Sequence, residues 1–321
     1  MRLKAGLLLA TLVVALGFIG LQNSGIAADR GAAKQPDQAP PLVLAGSSST
    51  EGFQQYTIDV NGLSRTYNLY VPASSQGHLA PLVIGFHGGG GEGLTFAVQT
   101  NLPAMAERYG YVIAAPDGLR ESWNTGSIDP QGYSEMNGID DLGFVSAMMD
   151  QIFATGIIDQ SKVYAMGMSR GGMMSYYVAC SMPGRFAAIA AVSATLSSGI
   201  CPNSLGTSLL HIHGTADDRV PFQGGHGAAT PGKQSWASAA DGIQIFAQSG
   251  QCEPTFTSEQ VAPYITCNHS ACPGTDEVEY CLIDGGGHEW PGKETNRHKK
   301  TFAAVANFDT TDFIAQFFQK H

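Results

Sequence analysis

Short apolar runs rich in β-branched residues alternate along most of this chain with stretches of helical periodicity. The β-type runs fall at 55–60, 65–71, 82–87, 111–116, 162–168, 187–193, 208–213 and 278–284, and Gly, Pro, Asn and Asp clusters punctuate them as they punctuate strands. Apolar residues recur at the spacing of an amphipathic helix over 96–109, 139–155, 170–182, 234–248 and 302–320. This alternation predicts an α/β fold, with a mostly parallel sheet of about eight strands and helices on both faces. The first two runs flank Asn61-Gly62, a strong hairpin signal, so the sheet is expected to begin antiparallel. No internal repeat and no second-domain boundary interrupts 53–321, which reads as one domain.

The amino-terminal residues lie outside that alternation. Residues 1–28 carry Arg2 and Lys4, an apolar run from Ala5 to Leu21, and then Ser24-Gly25-Ile26-Ala27-Ala28. That is the layout of a secretory signal peptide cleaved after Ala27 or Ala28. A retained membrane anchor is the competing reading, because the apolar run is close to the shortest that spans a bilayer. Residues 29–52 are rich in Pro, Ala, Ser and Gly without an apolar period, and read as a flexible leader. The expectation is a secreted or periplasmic monomer with no stable membrane association once the signal is removed.

Composition narrows the partners. With 43% apolar and 14% charged residues, the chain has the material for a filled core. The signal segment 1–28 holds two cations and no acid, so its removal takes the formal charge from -10 to -12. Such a protein is repelled by nucleic acid and by anionic membrane surfaces, which excludes both as partners. Six cysteines in an exported chain point to disulfides. Spacing does not choose among the 15 possible connectivities. Cys180 with Cys201 is the expected first pair, and the other four are expected to pair among themselves. No C-x-x-C pair supports zinc.

The densest chemistry lies at the junction of a β-run and a helix, where Gly167-Met168-Ser169-Arg170-Gly171 fits the G-x-S-x-G turn. A serine on that turn sits in a strained conformation with its hydroxyl lifted above the sheet, and small neighbours are needed where strand and helix nearly touch. The following helix points its positive end at charge developing on a substrate oxygen. A serine hydroxyl requires a histidine base oriented by a carboxylate, and in this architecture the chain order is Ser, acid, His. His288, in Asp284-Gly-Gly-Gly-His-Glu-Trp-Pro-Gly just past the last β-run, is the candidate base. His226 in a polar loop, His298 beside Lys299 and Lys300, and terminal His321 are less well placed. Asp217 and Asp218 both follow a buried β-run, so the residues alone favour Asp217 and leave Asp218 open. His211 and His213 share one strand face, but no third ligand joins them, and they read as histidines hydrogen-bonded into the loop framework. Upstream, the apolar run ending at His87 opens into four glycines. Backbone N–H groups there, at Gly88 and Gly89, together with that of Arg170, are the candidate oxyanion hole. A phosphate loop is disfavoured because the G-K-[ST] ending is missing. Met148, Met149, Met168, Met173 and Met174 read as core filler around this junction.

Taken together, His87-Gly88-Gly89-Gly90, Ala115-Pro116-Asp117-Gly118, Ser122-Trp123-Asn124, Asp140-Asp141-Leu142-Gly143-Phe144, Gly167-Met168-Ser169-Arg170-Gly171-Gly172-Met173, His213-Gly214-Thr215-Ala216-Asp217 and Gly286-Gly287-His288-Glu289-Trp290-Pro291-Gly292 resemble the secreted esterases that group polyhydroxybutyrate depolymerases with feruloyl and acetylxylan esterases. These are similar to carbohydrate esterase family one, within the α/β-hydrolase superfamily. The resemblance runs from about Tyr56 to the carboxyl terminus. It implies a Ser169, Asp217 and His288 triad, with the acid two residues after His-Gly-Thr. It also implies an acyl-enzyme mechanism without cofactor or metal, and a feruloyl, acetyl or hydroxyacyl ester of an extracellular polymer or oligomer as substrate. Against it, Cys267 and Cys281 look like extras, which leaves the pairing of Cys252 and Cys272 open. Trp123 and Trp290 are the aromatics expected at the substrate cleft, with packing around the loops as the alternative. A polyhydroxybutyrate depolymerase acting on polymer, a peptidase, and a non-catalytic exported binding protein on the same scaffold are the competing functions.

Overall fold

The computed structural model describes residues 52–75, 77–292 and 308–321. The expected signal peptide, nearly all of the expected leader and His298 lie outside the described residues. One sheet of ten strands organises the described chain. In chain order these are β1 Gln54–Val60, β2 Leu63–Tyr70, β3 Ala80–Phe86, β4 Val112–Pro116, β5 Ile158–Met168, β6 Ala188–Val192, β7 Ser208–Gly214, β8 Thr257–Ala262, β9 Ile265–Ala271 and β10 Glu277–Ile283. Their order across the sheet is β1-β2-β4-β3-β5-β6-β7-β10-β9-β8. The central strands from β4 to β10 are parallel, and antiparallel pairs close both edges. At the first edge Val60 faces Leu63 across Asn61 and Gly62, both at positive φ, the twist that a two-residue hairpin requires.

Helices cover both faces. On one lie α4 Asp141–Phe153, α5 Arg170–Ser181 and α6 Ala239–Ser249, and on the other α1 Gly93–Gln99, α2 Leu102–Tyr109 and α7 Thr310–Gln319. A single turn, α3 Tyr133–Met136, belongs to the loops. Successive strand residues point to opposite faces, so Leu82 and Ile84 enter the core with Phe144, Met148 and Met173, while Val83 joins Phe96, Leu102 and Phe318 on the other side. The methionines expected as core filler are buried, except Met168, which is half-buried at the end of β5.

Four expectations need correction. β8 and β9 were not anticipated: β8 is exposed along nearly its whole length, so it carries no apolar alternation to read. β9 is held by its pairing to β10 and by a disulfide. The expected helix over 96–109 is two helices, broken where Asn101 turns left-handed before Pro103, whose ring a continuous helix excludes. The helix expected from 234 begins instead at Ala239, where the Ser238 side chain caps the Asp241 N–H. Of the helix expected over 302–320, the described part starts at Thr310, capped by Asp309. The disulfides are Cys180–Cys201, Cys252–Cys272 and Cys267–Cys281, the last joining residues directly opposite on β9 and β10.

The Asp-Asp-Leu-Gly-Phe motif proves to be an anchor. Asp140 caps α4 through the Gly143 N–H at 2.7 Å. Asp141 forms a fully buried ion pair with Arg65 of β2 at 2.6 Å, and its other oxygen accepts the Asn124 N–H at 2.7 Å. Phe144 lies 4.0 Å beneath the guanidinium. This cluster ties β2, α4 and the loop after β4 into one unit. Asp141→Ala leaves Arg65 buried and unpaired and is expected to cost about 3–5 kcal/mol of unfolding free energy, whereas Arg65→Met combined with Asp141→Leu costs less, both read by urea denaturation.

Candidate active site

β5 runs into α5 within a single residue. Ser169 sits there at φ 55° and ψ -123°, a conformation that costs a side-chain-bearing residue energy and persists only where the surroundings impose it. Those surroundings are backbone. A Cβ on Gly167 would meet the Gly171 carbonyl, and one on Gly171 would meet the Phe86 carbonyl of β3. One on Gly172 would lie 2.7 Å from the Ala194 Cβ. The Ser169 N–H donates to the Val192 carbonyl at 2.8 Å, which fixes the turn to the end of β6.

The glycine turn after β3 lies directly against it. A Cβ on Gly88 would approach the Ser169 Cβ to 3.7 Å, and one on Gly89 would approach the Arg170 Cδ to 3.3 Å. The N–H groups of Gly90 and Gly91 are used, donating to the carbonyls of Glu121 and Gly88. That of Gly89 has no acceptor among the described residues. Arg170 is the first residue of α5, where N–H groups have no intrahelical partner. Two backbone donors, those of Gly89 and Arg170, therefore lie beside Ser169 without a protein acceptor among the described residues.

Trp123 and Trp290, expected in the cleft, are scaffold instead. Trp123 is 0% exposed, and its indole N–H donates to the His87 carbonyl at 2.9 Å, immediately before Gly88. His87 is fixed in turn. Its Nε2 accepts the Gly118 N–H at 2.9 Å, so its proton sits on Nδ1 and is donated to the Gly88 carbonyl at 2.7 Å. Burial pushes the His87 pKa down and keeps the ring uncharged. Trp290 is 2% exposed, packs edge-on against Phe96 and donates to the Thr311 hydroxyl, so it ties the 284–292 loop to α1 and α7. Both rings are too well buried to offer a face to a ligand.

Asp217 and His288 meet. The His288 Nδ1 lies 2.8 Å from the Asp217 Oδ2, while the Asp217 Oδ1 accepts the N–H groups of Arg219 and Val220 at 2.9 and 2.8 Å. Asp218 is exposed. Burial by itself would raise the Asp217 pKa, but hydrogen bonds from His213, His288 and the Val220 N–H outweigh it and hold the carboxyl well below the usual carboxylate range. The His288 loop reaches the serine side of the sheet through the Glu289 carbonyl, which lies 3.4 Å from the hydroxyl of Ser193, one residue past the Val192 that holds Ser169. Among the described residues the Ser169 hydroxyl makes no hydrogen bond, to the imidazole or elsewhere. Such contacts in ligand-free enzymes are commonly long and tighten around substrate.

Two side chains near Ser169 escaped the sequence reading. Arg170 forms an ion pair with Glu135 of α3 at 2.9 Å, and its guanidinium lies 5.7 Å from the ring of Trp236. Trp236 is half-buried, unlike the other two tryptophans, and is held by its N–H to the Arg219 carbonyl at 2.7 Å. Arg170 thus joins the loop after β4 to the loop after β7. Neither partner shows any spacing signal, because their meeting depends on two loops of unrelated sequence position.

Groups with metal-ligand chemistry stand apart from this site. His269, Glu277 and Glu279 bring ligand atoms within 4.8 Å of one another on β9 and β10. They lie at the amino end of β10, opposite the end that carries Ser169, and Glu277 is already met by Lys320 and His321 at 3.4 and 3.3 Å. The other grouping, Cys267, Glu279 and Cys281, has both sulfurs in a disulfide.

A serine on a strained strand-to-helix turn, a glycine turn beside it and an Asp–His pair on the loops after β7 and β10 are what an acyl-transfer hydrolase on this fold requires. The phospholipase/carboxylesterase family matches residues 70–266, and the chain belongs to that family as a carboxylic ester hydrolase with the α/β-hydrolase fold. It is 30% identical to the NocK protein of Nocardia uniformis subsp. tsuyamanensis, over 80% of this chain and 78% of that one. It is 28% identical to feruloyl esterase C of Emericella nidulans, over 71% of this chain and 77% of the relative. With feruloyl esterase B of Piromyces equi it shares 28% identity over 67% of this chain, but spans only 40% of that protein. The acetyl xylan esterase of Aspergillus awamori shares the fold, with a TM-score of 0.55 at 14% identity over 80% of this chain and 94% of that one. No described helix is long and apolar enough to cross a membrane.

Two glycines, one in the turn at Ser169 and one beside His288, give a contrast. Gly171→Ala forces a Cβ against the Phe86 carbonyl and is expected to cost about 2–3 kcal/mol, whereas Gly287→Ala, with nothing within 4 Å, is expected to change stability little although it adjoins His288. Thermal melts of the two variants provide the comparison.

Proposed function

We propose that the chain is an exported serine esterase in which Ser169 is the nucleophile, His288 the general base and Asp217 the residue that orients the base. The observation that carries this reading is the 2.8 Å bond from His288 to a buried Asp217, on the loops following β10 and β7, in a chain whose strained serine ends β5. Asp217 holds the Nδ1 proton, which leaves Nε2 as the acceptor. His288 then takes the Ser169 proton as the oxygen attacks the ester carbonyl. The free N–H groups of Gly89 and Arg170 receive the oxyanion, and Gly88, which has no side chain, lets the turn approach. His288 returns the proton to the departing alcohol, and water resolves the acyl-enzyme by the same steps in reverse.

For the acyl group we favour feruloyl over acetyl and hydroxyacyl esters. Several relatives carry the name feruloyl esterase, and Trp236 beside Arg170 offers a partly open aromatic face against which a planar ring can stack. The two signals that support export are the amino-terminal layout of charge and apolar residues and the three disulfides, which persist in oxidising compartments.

Ser169→Ala is expected to lower kcat on p-nitrophenyl acetate by at least about 10⁴-fold with the fold intact by circular dichroism. Retained turnover would sink the nucleophile assignment and favour a binding protein. On a panel of methyl ferulate, acetylated xylan and hydroxybutyrate oligomers, Trp236→Ala should raise KM for methyl ferulate by about 10-fold while leaving acetyl ester turnover near the parent value. Equal losses on all three would remove Trp236 from the acyl site.

A further inference from the structure

Tyr176, His211 and His213 form a hydrogen-bonded chain in which all three side chains are 0% exposed. The Tyr176 hydroxyl of α5 lies 2.9 Å from the His211 Nδ1, and the His211 Nε2 lies 3.0 Å from the His213 Nδ1. The two imidazoles stack on the same face of β7 with ring centroids 5.2 Å apart. The His213 Nε2 then reaches the Val220 carbonyl at 2.8 Å and the Asp217 Oδ2 at 3.4 Å. That is the same carboxylate oxygen that meets His288.

The end of the chain sets its protons. A carbonyl oxygen only accepts, so the His213 Nε2 must carry a hydrogen, whatever occupies the other side of the ring. With that hydrogen alone on His213, its Nδ1 accepts from the His211 Nε2–H, and the His211 Nδ1 accepts from the Tyr176 hydroxyl. A reversed chain would place a second hydrogen on His213, and even then Nε2 would keep its own. Burial holds His211 uncharged, with its pKa well below the ordinary histidine value. The other titratable groups that meet the chain are Asp217, His288 behind it, and Tyr280, which pairs with His211 from β10.

We infer that His213 is a positioning residue for the reaction: its Nε2–H, shared between the Val220 carbonyl and the Asp217 Oδ2, holds that oxygen in line with His288 and moderates the charge the imidazole sees. The inference rests on the assignment of Asp217 and His288 to the triad. Arg219 and Val220 N–H groups hold only the other oxygen, so without His213 the Oδ2 atom has His288 as its one donor. A carboxylate relieved of one donor attracts the imidazolium more strongly, so the base becomes harder to deprotonate.

His213→Leu is expected to lower kcat about 10-fold with KM little changed, and to move the acid limb of the kcat/KM profile to higher pH by about half a unit. His213→Gln, which presents an N–H near the position of Nε2, should return the limb toward its parent position. A loss of thermal stability with an unmoved limb would overturn the inference, since packing alone predicts that result. If His213→Leu does not fold, the parent protein decides. With histidine nitrogens labelled, the His213 Nε2–H resonance should shift when an organophosphate on Ser169 leaves His288 protonated, and an unmoved resonance would overturn the inference. Active Ser169→Ala would instead remove the triad itself, so the two failures are distinguishable.

Discussion

The backbone contact between Gly167, Gly171 and Phe86 governs the rest of the molecule. A parallel strand can turn into a helix within one residue only if the two ends of the turn approach closer than any side chain permits. Here that approach is made against the neighbouring strand β3. Once it is made, Ser169 has no choice of conformation, and α5 begins with its N–H groups beside the serine. The end of β3 must then lead away in glycine. That strained geometry is affordable because β3, β5 and β6 lie at the centre of a sheet buried on both faces.

A second layer of polar contacts transmits this rigidity to the loops. His87 is locked by Gly118 and Gly88, Trp123 holds the His87 carbonyl, and Asn124 is bound to the Asp141 that neutralises Arg65. Within the upstream motifs, His87, Trp123 and Asp141 therefore brace the glycine turn from buried positions. The contacts that join the two loops nearest the serine belong to Arg170, Glu135 and Trp236.

What the sequence determined by itself was local: the alternation of strand and helix, the hairpin at Asn61-Gly62 and the strand-to-helix turn at Ser169. Each is written within a few neighbouring residues, because side-chain period, positive φ and close backbone approach are properties of short segments. The edge strands β8 and β9 were not legible, since a solvated edge needs no apolar alternation and these strands depend on pairing and on Cys267–Cys281. Only the tertiary structure decided that Asp217 faces inward and Asp218 does not, that Trp123 and Trp290 are buried, that Trp236 stands by Arg170, and that His213 reaches Asp217. Those outcomes follow from which loops meet over the end of the sheet, and a contact between distant segments leaves no period in either of them.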